Sequence, residues 1–188
     1  MDSLAPENVV PRLRGRLGRP YRHLEACPST QRELTAEDRE GAVVATEHQT
    51  EGRGRLGRTW IDAPGTSLLF SLLLTPDVPA DRLPGLTVLA AEAVAEAIGA
   101  GAEVKEPNDV LLGGRKIAGV LGEASEGRVV IGIGVNVDQS PEQLPPGAQL
   151  PATSIRIERG EPLDRAELLV AILDAVERRY DEWLSGGT

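Results

Sequence analysis

Seven consecutive residues restrict the fold of this chain more than any other feature. In Ile131-Gly132-Ile133-Gly134-Val135-Asn136-Val137 the odd positions are all aliphatic and the even ones are Gly, Gly and Asn. Side chains alternate across a strand, so one face packs on a core while the other is nearly bare. Glycine inside a strand weakens it unless something must approach the backbone closely. Either a ligand lies on that face or a helix packs tightly against it. The ligand is the more economical reading, with Asn136 offering an amide at its edge. Gly119 and Gly122 in the preceding strand add to the same open surface.

The segments around this strand fall into a coherent order. Residues 67–74 form a continuous apolar run bounded by turn residues, as a buried strand does. Residues 42–48 are β-branched and apolar enough for another strand. Gly113-Gly114 and Glu126-Gly127 separate 110–112, 116–124 and 128–137, and both pairs suit tight hairpin turns, so this stretch reads as a meander. Over 82–98 the residues Leu86, Leu89, Ala90, Ala93, Val94 and Ala97 share one helical stripe, with Pro84 tolerable only in the first turn. Over 163–184 Leu169, Ile172, Leu173, Val176, Tyr180 and Trp183 do the same. Thr30 and Glu33 have capping-box spacing, which predicts a short helix to about residue 40. Residues 139–151, with Pro141, Pro145, Pro146 and Pro151, read as a loop, and residues 1–19 as a loosely structured leader. The order predicts one α/β (α+β) domain over 20–188, with a mixed, mainly antiparallel sheet and helices on one face.

Composition narrows the function classes. With 188 residues the chain can fill one core, and with only 3% aromatics that core must rest on Leu, Val, Ile and Ala. A formal charge of −9 argues against a surface that coats nucleic acid or anionic membrane. The single cysteine, Cys27, excludes an intrachain disulfide and suits a reducing compartment. The first twenty residues carry Arg12, Arg14, Arg16 and Arg19 but no apolar stretch of a secretory signal, and 67–74 is far too short to cross a bilayer. These features predict a soluble cytoplasmic protein.

Two segments carry candidate chemistry. Gly52-Arg53-Gly54-Arg55-Leu56-Gly57-Arg58 satisfies the G-x-G-x-x-G spacing of dinucleotide-binding folds, but that fingerprint must open a helix, and here Pro64 and Gly65 follow before a strand. Arginine presents a rigid fork of donors to phosphate or carboxylate, and glycine lets the backbone fold tightly, so the loop reads as an anion clamp. A solvated loop or a small RNA-binding patch would share this composition. In Pro107-Asn108-Asp109, the hairpin through Gly113-Gly114 brings Asp109 near Lys116 on paired strands, where a carboxylate can orient an ammonium. An ordinary cross-strand salt bridge would have the same spacing and contribute little at a surface.

In order and spacing these segments resemble the biotin protein ligase family. The matching stretches are Ser29-Thr30-Gln31, Glu47-His48-Gln49-Thr50-Glu51 leading into 52–58 and Trp60, Pro107-Asn108-Asp109, Gly114-Arg115-Lys116-Ile117-Ala118-Gly119, and 132–137, with Ala152-Thr153-Ser154 before the final helix. The resemblance runs from about Tyr21 to the end and implies the class II synthetase-like catalytic fold. It places biotin on Ser29, Thr30, Gln31, Gln49, Arg53, Gly54, Arg55 and Lys116. It places ATP on Arg53, Arg55, Arg58, Asn108, Asp109, Lys116 and Asn136, with Lys116, Asp109 and Arg55 at the reacting centre. It further implies Mg²⁺ carried mainly by the phosphates rather than by protein ligands, a biotin carboxyl carrier protein as acceptor, no nucleic-acid or membrane partner, and a monomer or weak homodimer. Lipoate and octanoate ligases share the fold but differ in their glycine-rich motif, which this sequence lacks.

The implied reaction explains the residue types. A biotin carboxylate attacks the α-phosphate of ATP, so positive charge must be aimed at the meeting of two anions. An acceptor lysine then attacks the mixed anhydride, which the loop must meanwhile shield from water. Three departures from the family pattern stand out. Gln31 replaces an Asn and keeps the amide, whereas Glu106 replaces a Trp and is expected to face solvent. Neither an N-terminal helix-turn-helix nor a C-terminal β-domain is expected within the chain, so no repressor role is anticipated.

Overall fold

The structure, a computed structural model, describes residues 3–146 and 150–186. Its frame is one seven-stranded sheet in the order β1-β2-β3-β7-β6-β5-β4. The strands are β1 Tyr21–Leu24, β2 Val43–Thr46, β3 Ser67–Leu74, β4 Ala102–Lys105, β5 Asp109–Leu112, β6 Arg115–Ser125 and β7 Arg128–Asn136. β1 and β2 run parallel and the other neighbours antiparallel, which is the mixed, mainly antiparallel sheet expected. The helices are α1 Pro6–Val9, α2 Gly85–Ile98, α3 Ile155–Arg159 and α4 Arg165–Leu184.

Period-two alternation in the central strands divides the two sheet faces. Leu68, Phe70, Leu72 and Leu74 of β3 and Val129, Ile131, Ile133 and Val135 of β7 enter the main core, where Phe70 pairs with Ile133 and Leu72 with Ile131. The buried stripes of α2 and α4 cover this face, and the two helices also pack on each other. α2 stops where Gly99 takes a φ of 90°, a conformation open to glycine at little cost. α4 starts at Asp164, whose side chain accepts the Glu167 N–H at 2.9 Å.

The stretch read as a loose leader is instead part of the core. Leu4, Val9, Leu13 and Leu17 are buried in the main cluster, the Tyr21 hydroxyl donates to the Leu4 carbonyl at 2.7 Å, and Glu177 accepts the Leu17 N–H at 2.9 Å. Pro6 sits in the first turn of α1 and Pro11 in the 3-10 turn Val10–Arg12 that follows, so prolines here shape a compact path. The helix expected over 30–40 shrinks to a 3-10 turn, Thr30–Glu33, because the Thr30 hydroxyl bonds Gln49 and Ser71 instead of capping. β1 and β4 were not foreseen: each is a four-residue, half-exposed edge strand carrying charged residues. The 139–151 loop contains a 3-10 turn, Pro141–Gln143, and its residues 147–149 lie outside the described residues. Gly122 belongs to the helical face, since a Cβ there would stand 2.5 Å from the Thr87 hydroxyl of α2. It therefore serves close helix–sheet packing, not the open surface. Among the described residues no helix is long and apolar enough to cross a membrane.

Candidate active site

On the face away from α2 and α4, the sequence leaves β6 and β7 nearly without side chains at Gly119, Gly132 and Gly134. Register places Ser71, Gly132 and Leu121 on one level across β3, β7 and β6, and Leu69, Gly134 and Gly119 on the next. Asn136 lies on the level after that, opposite Ser67. At about 3.3 Å per residue, the run from Gly132 to Asn136 is roughly 13 Å long. A cavity over this run is lined by Ser29, Thr30, Gln31, Gln49, Arg53, Gly54, Arg55, Arg58, Asn108, Asp109, Lys116 and Asn136. All the residues to which the resemblance assigns biotin or ATP thus meet at one place.

The bare strand face is not left open. Trp60 and Gln31 lie on it: a Cβ on Gly134 would stand 2.7 Å from Trp60 Cε2, one on Gly119 3.1 Å from Trp60 Cζ3, and one on Gly132 2.9 Å from Gln31 Cδ. The glycines are therefore seats for two side chains, and the cavity forms around those. Trp60 is the main residue that sequence reasoning left out of the site. Its place beside the arginine loop was visible, but nothing in the pattern said that its ring turns back onto the sheet. Its Nε1–H is buried without a partner, which leaves a donor for an acceptor atom.

The inner end of the cavity is neutral and polar. Gln49 Oε1 accepts the Thr30 N–H at 2.8 Å and the Thr30 hydroxyl at 3.2 Å, and that hydroxyl also meets the Ser71 hydroxyl at 2.8 Å. Gln31 Nε2 donates to the Leu121 carbonyl at 3.2 Å. Behind Gln49, His48 Nδ1 bonds Asp62 at 2.8 Å. Glu47 accepts from Arg165 at 2.6 Å and meets His23 Nε2 at 3.1 Å. Burial pushes the Glu47 carboxyl up, but Arg165, with help from His23, outweighs burial and holds it below the usual carboxylate range.

The outer end is cationic. Lys116 Nζ stands 2.6 Å from Asp109 Oδ1 and 5.8 Å from the centre of the Trp60 ring. A β-bulge aims it there. Ile117 and Ala118 are both buried on the core face, and the register of β5 with β6 shifts at Val110/Leu111. Strict alternation back from Ala118 would turn Lys116 into the core; the extra residue turns it onto the cavity side, with Gly119. The end of the 139–151 loop and the residues just after it hold the lysine backbone, as Lys116 N–H donates to the Pro151 carbonyl at 2.8 Å and Thr153 N–H to the Lys116 carbonyl at 2.9 Å.

The arginine loop lies across this end. Gly54 N–H donates to the Arg58 carbonyl at 2.7 Å, Arg58 Nε to the Arg55 carbonyl at 3.3 Å, and Arg55 Nη1 to Asn108 Oδ1 at 2.9 Å. Asn108 is itself clamped to β6, its Nδ2 donating to the Val120 carbonyl at 3.0 Å. Arg53 forms a two-pronged pair with Glu123 at 2.6 and 2.9 Å. Arg55 thus binds back to the cavity wall and Arg53 to β6, while Arg58 is held within the loop itself. Leu56, with a left-handed φ of 57°, is 87% exposed at the tip. Glu106 is exposed, as expected.

Comparison with known proteins supplies the context for this geometry. Residues 25–140 match the Biotin/lipoate A/B protein ligase family. The chain is 42% identical over 157 residues to the bifunctional ligase/repressor BirA of Bacillus subtilis, covering 79% of this chain and 48% of that protein. It is 34% identical over 160 residues to the biotin–[acetyl-CoA-carboxylase] ligase of Mycobacterium tuberculosis, covering 81% and 59%. It thus spans about half the length of the curated relatives it matches. Among solved structures, the biotin protein ligase from Aquifex aeolicus in complex with biotin and ATP is 32% identical with a TM-score of 0.77, over 87% of this chain and 71% of that one.

Proposed function

Since the chain belongs to the biotin/lipoate A/B protein ligase family, we propose that it activates biotin with ATP and transfers it to a lysine of a biotin carboxyl carrier protein. The observation that carries biotin rather than lipoate or octanoate is the inner end of the cavity. Thr30, Gln49, Gln31 and Ser71 form a polar cluster at one end of a cavity whose other end is cationic. Biotin has this polarity, with a ureido ring at one end and a carboxylate at the other. A lipoyl or octanoyl chain brings no hydrogen bond to the polar end, and such a mismatch discriminates strongly.

The residues then divide the work. The biotin carboxylate oxygen attacks the α-phosphorus of ATP, the bond to the β-phosphate oxygen breaks, and pyrophosphate leaves. Lys116, oriented by Asp109 at 2.6 Å, sits where two anions must meet and stabilises the charge of the pentavalent phosphorus. Arg55 and Arg58 on the loop and Arg53 on its rim supply further positive charge, and Asn108 and Asn136 face the nucleotide. In the second step the uncharged amine of an acceptor lysine attacks the anhydride carbonyl, AMP leaves with the bonding pair, and the nitrogen gives up a proton to solvent as the amide forms.

Magnesium is expected with the nucleotide. Asp109, the carboxylate lining the cavity, is committed to Lys116, and no group of three His, Cys, Asp or Glu suited to a metal ion occurs among the described residues. The donor set therefore fits an ion carried by the phosphates and not a cage of protein ligands. The anchoring of Arg55 on Asn108 favours this reading over an RNA-binding loop, and the composition suits a cytoplasmic enzyme. Biotin-dependent ATP–pyrophosphate exchange tests it. Exchange that biotin stimulates and lipoate and octanoate do not supports the proposal, and a chain that exchanges with lipoate alone contradicts it.

A further inference from the structure

Behind Asn136 lies a buried relay that neither step of this chemistry uses. Gln139 is 1% exposed, and its Nε2 donates to Asn136 Oδ1 at 3.2 Å and to the Ser67 hydroxyl. Asn136, itself 5% exposed at the cavity wall, donates from Nδ2 to the Thr153 carbonyl at 2.9 Å. The Ser154 hydroxyl donates to the Gln139 carbonyl at 2.7 Å and fixes the backbone of the relay.

The direction of each amide follows from the end of this chain. A backbone carbonyl only accepts, so Thr153 requires the nitrogen of Asn136 on its side. That turns Asn136 Oδ1 toward residue 139, where a donor is required in turn. Gln139 supplies it, while its own Oε1 is left buried without a partner. A methionine of similar length would fill the same space without an orphaned oxygen, so the amide is explained by its donors and not by packing.

We propose that Gln139 is a positioning residue which, together with the Thr153 carbonyl, holds the Asn136 amide in one polarity and so makes the cavity select adenine over guanine nucleotides. This inference rests on reading the cavity as an ATP site with the base against Asn136. An asparagine amide has two N–H groups and two lone pairs; Thr153 and Gln139 occupy one of each. One N–H and one lone pair remain, in fixed order. Adenine offers an amino donor beside a ring-nitrogen acceptor, which such a pair meets in one orientation. Guanine carries a carbonyl where adenine carries the amino group, so the same order places acceptor against acceptor. On the ring edge that carries N1, where guanine sets an N–H beside its carbonyl, only the reversed amide would meet guanine.

The test uses Gln139→Glu, which keeps the size but presents acceptors to Asn136, and Gln139→Met, which presents neither donor nor acceptor. Biotin-dependent pyrophosphate exchange is measured with ATP and with GTP, alongside thermal melting and biotin calorimetry. In both variants the KM for ATP should rise about tenfold, the scale of losing one amide-to-base pair, with kcat changed far less and biotin affinity retained. The preference for ATP over GTP should fall by a similar factor, more in Gln139→Glu. Folded variants that keep the original preference, or that lose kcat equally with both nucleotides, reduce Gln139 to a structural part and overturn the proposal. If neither variant folds, Ser67→Ala, which removes the other partner of Gln139, should weaken the preference in the same direction, and an unchanged ratio overturns the proposal. Equilibrium binding of non-hydrolysable ATP and GTP analogues to the unsubstituted chain separates the two readings. Absence of exchange contradicts the ligase reading, whereas equal affinity for the two analogues overturns the role of Gln139 whether or not exchange occurs.

Discussion

Lys116 and Asp109 meet at 2.6 Å although they are not cross-strand partners: Asp109 pairs with Gly119, and Lys116 with Leu111. The contact exists because Ile117 is the extra residue of a bulge, so the lysine side chain lies along the strand over Gly119, where a Cβ would stand 3.4 Å from its Nζ. Lys116→Ala should lower biotinyl-adenylate formation by roughly 10²–10³-fold, the scale of losing one preorganised charge at a transition state. Biotin affinity measured by calorimetry should fall much less. Near-normal pyrophosphate exchange by the variant would leave Lys116 as a salt-bridge partner only.

Arg55 ties the loop to Asn108 at 2.9 Å, and Asn108 is tied in turn to β6. Arg55→Gly removes that tether and restores flexibility, so the reactive anhydride should escape faster than it is made more slowly. The expected outcome is more biotin on bystander proteins per adenylate formed, read on streptavidin blots against exchange rates. Equal ratios for the two proteins would take Arg55 out of retention.

Gly134 has an ordinary strand backbone, so alanine fits its φ and ψ, but the new methyl would stand 2.7 Å from Trp60 Cε2. Gly134→Ala should displace the indole, shift tryptophan emission and weaken ligand binding about tenfold or more, a cost of ~1.4 kcal/mol. The unfolding midpoint in urea should move little, because strand propensity offsets part of the lost contact. An unchanged spectrum with full affinity would show that the ring does not depend on the bare strand.

Glu47 is held below the usual carboxylate range despite its burial, chiefly by Arg165, and the Asp38 carboxyl is held low as well, chiefly through its hydrogen bond from Arg22. Groups with depressed folded pKa values stabilise the protein above their unfolded pKa, about 4, and lose that contribution as pH falls through the folded value. Urea stability should therefore be level between pH 6 and pH 5 as far as these groups are concerned, and drop below about pH 4. Glu47→Gln should be less stable at neutral pH, by a few kcal/mol for a broken buried pair, and should show a shallower acid slope. An acid slope equal to that of the unsubstituted chain would contradict the assignment.

Leu17 is 1% exposed and lies in the main core. Leu17→Ala should cost about 2–5 kcal/mol in urea unfolding, the range for a large-to-small change in a packed interior. A loose leader would show no change.

Legibility in the sequence followed the length scale of each interaction. The alternation of 131–137 displays its two faces directly, and the apolar run 67–74 matches β3 at both ends. Asp109 and Lys116 could be brought together by counting around a glycine turn, yet the bulge at Ile117 has no local signature, since Ile117 and Ala118 are as ordinary in a regular strand. Trp60 and Gln139 were out of reach for a different reason. Their roles depend on where a loop side chain lands after the sheet has formed, and on a carbonyl contributed from Thr153. The leader was misjudged because prolines and glycines advertise interruption, while Leu4, Val9, Leu13 and Leu17 recur too irregularly to declare a helix face. Gly122 was assigned to the wrong side because glycine has no side chain to reveal which face it occupies; only the parity set by Val120 and the position of Thr87 decide it.

The bulge also changes what the distance between two letters of this sequence means. Ten positions separate Asp109 from its cross-strand partner Gly119, but one of the residues between them, Ile117, is answered by no residue of its own on β5. Removing Ile117 would leave a regular ladder in which Lys116 still shares a face with Gly119, at the expense of one aliphatic side chain in the core. Inserting a residue on either side of the bulge would send the ammonium to the wrong face. The hairpin is therefore asymmetric toward errors of length: it should forgive a deletion at this point more readily than an insertion, although a substitution table would treat Ile117 as the unremarkable member of the motif.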